Sequence, residues 1–226
     1  MRKSISFLIV LFALTLIVGI FSACETSHIH SYKEGFCECG DKEPSKGLEF
    51  FKTEKGYKLV GLGSCTDTYI RIPTTVSGEK VVEIDADVFN LNTKIKYVKI
   101  PSTVGEIKEN TFTWCFKLEK VEFESNSLLK VIGDSAFSGC SSLSEIELPN
   151  SLTSIGDSAF SGCTSLTKVK LPKSLLTIGN SAFSGCSSLS EIELPNSLIS
   201  IGDNAFSGCS SLSKIELPNS LTSIGD

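Results

Sequence analysis

Histidine is nearly absent. The 226-residue chain has two, His28 and His30, and none beyond. That removes Ser–His and Cys–His nucleophile pairs, and H-E-x-x-H zinc motifs, from the bulk of the chain. No G-x-x-x-x-G-K-[ST] phosphate loop occurs. Gly61-Leu62-Gly63 lacks the third glycine and the following helix of a dinucleotide loop, and reads as a turn in a hairpin. Basic charge is also in deficit, with 21 Lys and Arg against 26 Asp and Glu, a net of −5. An acidic chain with 8% aromatics has no electrostatic footprint for nucleic acid. Hydrophobic residues make up 41%, too many for a disordered chain. The expectation is a packed protein that is not an enzyme, with no cofactor and no nucleic-acid partner.

The N-terminus reads as an address. Arg2 and Lys3 precede the nearly unbroken apolar run Ile5–Phe21, which closes on Ser22-Ala23-Cys24. A basic start, an apolar stretch and small residues before a cut describe a secretory signal over residues 1–23. The placement of Cys24 resembles the bacterial lipobox, which implies lipid attachment at Cys24 and tethering to a membrane. The alternative is an uncleaved anchor, since the run is near the lower length limit for spanning a bilayer. Both put the rest of the chain outside the cytoplasm.

Residues 24–47 are polar and read as a flexible tether. His28, His30, Cys37 and Cys39 lie within it, and the run from His30 to Gly40 resembles a small zinc knuckle with one residue missing between the cysteines. C-x-C is a cramped chelate. A disulfide is a further option in an exported compartment. The spacer is preferred and no metal is expected.

Self-similarity dominates the remainder. Residues 132–154 and 178–200 differ only at Asp134/Asn180 and Thr153/Ile199. The isoleucines opening successive units fall at 84, 107, 132, 155, 178, 201 and 224, spaced by 23 residues with one interval of 25. The two extra residues lie around Glu124-Ser125-Asn126. Such a period predicts a solenoid of stacked turns that share one core. Within a unit, Leu143, Ile146 and Leu148 make L-x-x-I-x-L, a short strand with alternate residues inward. Pro149 ends it, and Leu152 and Ile155 return to the core. Ser135–Gly139 reads as one helical turn, with Asp134 or Ser135 as cap and Gly139 as terminator. Cys115, Cys140, Cys163, Cys186 and Cys209 share one position, which favours a ladder of buried thiols over redox or metal chemistry.

The wording IGDSAFSGCSSLSEIELPNSL resembles the BspA-like leucine-rich repeat family of surface proteins, and the likeness runs over roughly residues 47–226. Gly47–Phe50 and Tyr57–Asp67 look like that family's opening hairpin. The expected fold is therefore an α/β leucine-rich repeat solenoid, with a parallel sheet on the concave face and short helical turns or loops on the convex face. A hairpin cap and degenerate first repeat would occupy 48–83, and repeats 84–226. The last repeat stops after three residues, so a continuation, or self-association through an uncapped C-terminal end, is expected. The resemblance implies an exported interaction protein, some relatives being adhesins.

Aligning units on the strand gives two outward columns. One is Tyr69, Tyr97, Lys120, Glu145, Lys168, Glu191 and Lys214; the other is Arg71, Lys99, Glu122, Glu147, Lys170, Glu193 and Glu216. Alternating Lys and Glu read as a weakly stabilising, solvated ladder. Tyr69, Arg71, Tyr97 and Lys99 make an aromatic, basic corner of the composition enriched at interfaces. With Lys120 and Glu122 they form the candidate binding face. The preferred reading is a lipid-anchored cell-surface module binding extracellular or envelope proteins, or glycans. The rival is a passive envelope scaffold without an external ligand.

Overall fold

A computed structural model describes residues 44–226, and the backbone of the short antiparallel pair Tyr32–Lys33 and Phe36–Cys37. From residue 44 the chain winds as a β-solenoid whose turns stack every 23 residues.

An antiparallel hairpin, Glu49–Thr53 with Gly56–Gly61, opens the stack. Its reversal falls between Thr53 and Gly56, so Gly61-Leu62-Gly63 ends the second strand and leads out of it instead of forming the hairpin turn expected there. Gly63 has φ +49°, and a Cβ on it would sit 2.4 Å from the Gly47 carbonyl oxygen. The second hairpin strand then pairs in parallel with Glu79–Ile84, the first coil of the solenoid.

Successive coils contribute to two β walls, where one was expected from the sequence; the last coil, over residues 212–217, adds no strand to the first. The first wall carries the L-x-x-I-x-L strands. Tyr69–Arg71, Tyr97–Ile100 and Lys120–Phe123 pair in parallel, as do Glu145–Glu147, Lys168–Lys170 and Glu191–Ile192. The break between these two three-stranded sheets falls across the unit with the two extra residues, where Asn126 takes φ 57°. The second wall is a ten-stranded sheet built largely from two-residue strands; those such as Val131–Ile132, Ser154–Ile155 and Thr177–Ile178 pair in parallel, while the opening hairpin and Thr75–Val76 pair antiparallel. Segments read from sequence as mere returns to the core therefore make the longer sheet.

The helical turns are absent among the described residues. Five residues are too few to repay helix nucleation, and stacking supplies better partners. Ser135, Phe137 and Gly139 donate their N–H groups to the carbonyls of Asp157, Ala159 and Ser161 in the next coil, at 2.7–2.8 Å. The N–H groups of Ser138 and Cys140 close four-residue turns onto the carbonyls of Ser135 and Phe137. Ser135 has φ 54°, which is incompatible with a right-handed helical turn, whereas Gly139 at φ 73° takes the left-handed conformation read for it as a terminator. Asp134 caps nothing helical: its Oδ1 accepts the Asp157 N–H at 2.8 Å, and Asp157 and Asn180 repeat the bond one coil further on. This Asp/Asn ladder explains the glycine before it. A Cβ on Gly156 would meet Asp134 Oδ1 at 2.4 Å and the Asp134 nitrogen at 2.8 Å.

The core is a set of columns. Phe89, Phe112, Phe137, Phe160, Phe183 and Phe206 stack face to face, with centroids 4.7–5.6 Å apart and planes within 6°. Beside them run Leu118, Leu143, Leu166 and Leu189, and Ile107, Ile132, Ile155 and Ile178, all buried. Cys115 to Cys209 form the thiol column, each Sγ donating to the Phe carbonyl of the preceding coil at 3.0–3.2 Å. These cysteines are free and buried. Burial pushes the Cys115 and Cys186 thiols up to about 12, and those of Cys140 and Cys163 well above the ordinary value. They are packing groups carrying no thiolate at neutral pH.

Candidate functional site

The two outward columns lie in the register that alternation requires as far as Lys170 and Glu191, whereas Glu193, Lys214 and Glu216 lie outside any strand. Tyr69 is opposite Tyr97, and Tyr97 opposite Lys120; Arg71 is opposite Lys99, and Lys99 opposite Glu122. Further along, Glu145, Lys168 and Glu191 are successive partners. All six residues of the candidate face therefore share one three-stranded sheet, positioned by backbone pairing alone.

Their side chains play unequal parts. Tyr69 is 50% exposed and its ring lies 6.0 Å from that of Tyr97, tilted by 32°. Lys120 is also exposed. Arg71 is only 9% exposed, and its guanidinium faces Glu124 at 3.9 Å. Glu124 also accepts the Ser102 N–H, so the extra residues after Phe123 begin by bracing this corner. Lys99 is largely covered and pairs with Glu122 at 3.4 Å. The Tyr97 hydroxyl donates to Glu122 at 2.7 Å. Partial burial pushes the Glu122 carboxyl up. The Tyr97 hydrogen bond, with the charges of Lys99 and Lys120, outweighs this and holds it below the usual carboxylate range. Tyr69 and Lys120 thus face solvent over a braced layer of Arg71, Tyr97, Lys99 and Glu122. An ordered aromatic beside fixed charges contacts a partner at low entropic cost.

Beyond the sheet break the ladder is more open. Lys170 pairs with Glu147, both side chains about two-thirds exposed. Such a pair adds little stability. The ten-stranded wall adds an open groove of about 450 Å³, lined by Ser154, Thr177 and Ser200 beside Asp134, Asp157 and Asn180. Its polar atoms serve the fold: Ser154 and Thr177 bond each other at 2.9 Å, and the Asp/Asn oxygens hold successive coils. The recurring S-I-G-D wording was the available signal for this wall.

Cys24, His28, His30 and Cys39 lie outside the described residues, and of Cys37 only the backbone is described. Among the described residues no three His, Cys, Asp or Glu side chains gather as a metal site.

The sequence matches the BspA type leucine rich repeat region in six copies, over residues 64–163 and 130–226. The chain therefore belongs to that family. Among solved structures it resembles the leucine rich repeat protein TpLRR of T. pallidum, with 31% identity and a TM-score of 0.74, over 82% of this chain and 86% of that one. It also resembles a leucine rich cell surface protein of Faecalibacterium prausnitzii, with 30% identity and a TM-score of 0.57, over 76% of this chain and 53% of the other. The pneumococcal vaccine antigen PcpA shares 26% identity at a TM-score of 0.63, over 79% and 50%. The chain thus spans about half the length of the latter two. No curated protein matches it.

Proposed function

We propose that this chain is a cell-surface binding module of the bacterial envelope, tethered through lipid on Cys24, whose contact face is the sheet of Tyr69, Tyr97 and Lys120 braced by Arg71, Lys99 and Glu122. The observation that supports this most is the half-exposed Tyr69, set beside Tyr97 at a register position where every coil after Tyr97 carries Lys or Glu. Membership of the BspA-type family and likeness to a protein described as a cell surface protein support the address. The partner class is an extracellular or envelope protein, or a glycan. Repeated coils displaying similar columns suit multivalent contact.

Immobilised matrix proteins, envelope extracts and glycans would be screened with the recombinant chain and a Tyr69→Ser, Lys120→Glu variant. The proposal expects at least one ligand whose binding the variant loses while its circular dichroism is unchanged. If every ligand binds both proteins equally, the contact face lies elsewhere. If none binds, a passive scaffold takes its place.

A further inference from the structure

Six coils place one residue at the same corner of the turn wall in a left-handed conformation. Four of them use glycine, Gly139, Gly162, Gly185 and Gly208, at φ 71° to 73°. The first two use Leu91 at φ 57° and Trp114 at φ 58°. Bulky side chains are disfavoured there, so both coils carry backbone strain that glycine avoids in the later ones. Neither side chain is used in packing the core: Leu91 is 64% exposed and Trp114 57% exposed. Two residues after Trp114, Phe116 is exposed where later coils carry Ser141, Thr164, Ser187 and Ser210. The coils are in contact, the Leu91 N–H bonding the Thr113 carbonyl at 2.8 Å. The indole lies against Gly139, where an added Cβ would meet Cε3 at 2.5 Å. The backbone holds this patch ready.

Charge identifies the occupant. Lys94 and Lys117 hold one position in the same two coils, where later coils have Ser142, Ser165, Ser188 and Ser211. Both lysines are exposed, and neither forms an ion pair among the described residues. Lys96 nearby is held by Glu119 at 3.2 Å. Three exposed apolar side chains and two free ammonium groups therefore replace a glycine and serine surface. We propose that this patch docks a peptide segment of a protein partner that combines acidic with aromatic or aliphatic residues. A short segment feels only charges within a Debye length, about 8 Å at physiological salt, and so meets the two lysines. A broad anionic membrane would instead meet a chain of net charge −5.

The patch shares no residue with the Tyr69 sheet and is tested with its own variants. Trp114 is the only tryptophan, so its emission reports the site directly. A random-peptide display library would be panned on the intact chain, then on Leu91→Gly, Trp114→Gly and Phe116→Ser. These variants restore the residues that later coils carry, so they keep the fold. The expected pool is rich in Asp and Glu beside Phe and Leu, and is lost on Trp114→Gly. A synthetic peptide from it blue-shifts the Trp114 emission, and Lys94→Gln with Lys117→Gln weakens binding by about tenfold or more, as for paired interfacial charges. Peptides that bind Trp114→Gly equally well, or that ignore the lysine variants, overturn the proposal. So does an emission shift seen with phosphatidylglycerol vesicles and with no peptide.

Discussion

Replacing one thiol of the cysteine column with alanine has an effect whose sign and size follow from burial. Cys163 is 0% exposed, between Cys140 and Cys186, and burial holds its pKa well above the ordinary thiol value. In the unfolded chain it releases its proton near pH ~8.5. The folded chain keeps the proton, so its stability contribution is full below about pH 8.5 and is lost as pH rises towards the folded value. Above the unfolded pKa the loss approaches about 1.4 kcal/mol per pH unit for each thiol. Between about pH 7.5 and about pH 9.5 Cys163 alone removes about 1.4 kcal/mol. Cys115, Cys140, Cys163 and Cys186 together remove between ~5 and ~6 kcal/mol, comparable to the whole stability of many domains. Urea unfolding of wild type and Cys163→Ala, under reductant and followed by Trp114 emission, isolates the effect, because other titrations cancel in the difference. The alanine variant starts less stable at neutral pH, and the gap narrows by about 1.4 kcal/mol at about pH 9.5. A gap that stays constant with pH would refute a protonated, buried column.

Three further outcomes follow. Phe160→Ala, which interrupts stacks of 5.2 and 5.3 Å, should cost about 3 to 5 kcal/mol by denaturant unfolding. Gly156→Ala should cost about 1 to 3 kcal/mol, since the new methyl meets Asp134 backbone as well as its carboxylate, and calorimetry on the pure variant checks it. Glu122, with its lowered pKa, stabilises the fold above the unfolded carboxylate value of about 4.3 and loses that contribution as pH falls through the folded value. Glu122→Gln should therefore lose less stability than wild type on acidification from about pH 5 to about pH 3, measured by thermal unfolding.

Much of the architecture was legible because repetition writes it many times. The spacing of the isoleucines set the coil length, and the L-x-x-I-x-L alternation gave the register that brings Tyr69, Tyr97 and Lys120 together. The second wall was hidden because two-residue strands such as Ser154–Ile155 are too short to display an alternation. The helical turn at Ser135–Gly139 was misread because Ser, Ala and Gly near a cap-like Asp fit a helix locally. Only stacking reveals that the N–H groups have carbonyls waiting in the next coil. The columns named the outward residues but not which of them the fold consumes: Arg71 is turned inward to Glu124, a contact made through the two extra residues. Trp114 escaped notice for a related reason. Its departure from glycine is visible only once Gly139 is known to need a positive φ.

The proposed address puts the repeats on the outer face of the cell, on a chain tethered through lipid on Cys24. Protease treatment of intact cells producing the wild-type protein or Cys24→Ala tests it most directly. Shaving of the repeats from whole wild-type cells, with the Cys24→Ala chain released into the medium, is the predicted result. Repeats that resist protease until the envelope is broken would contradict it.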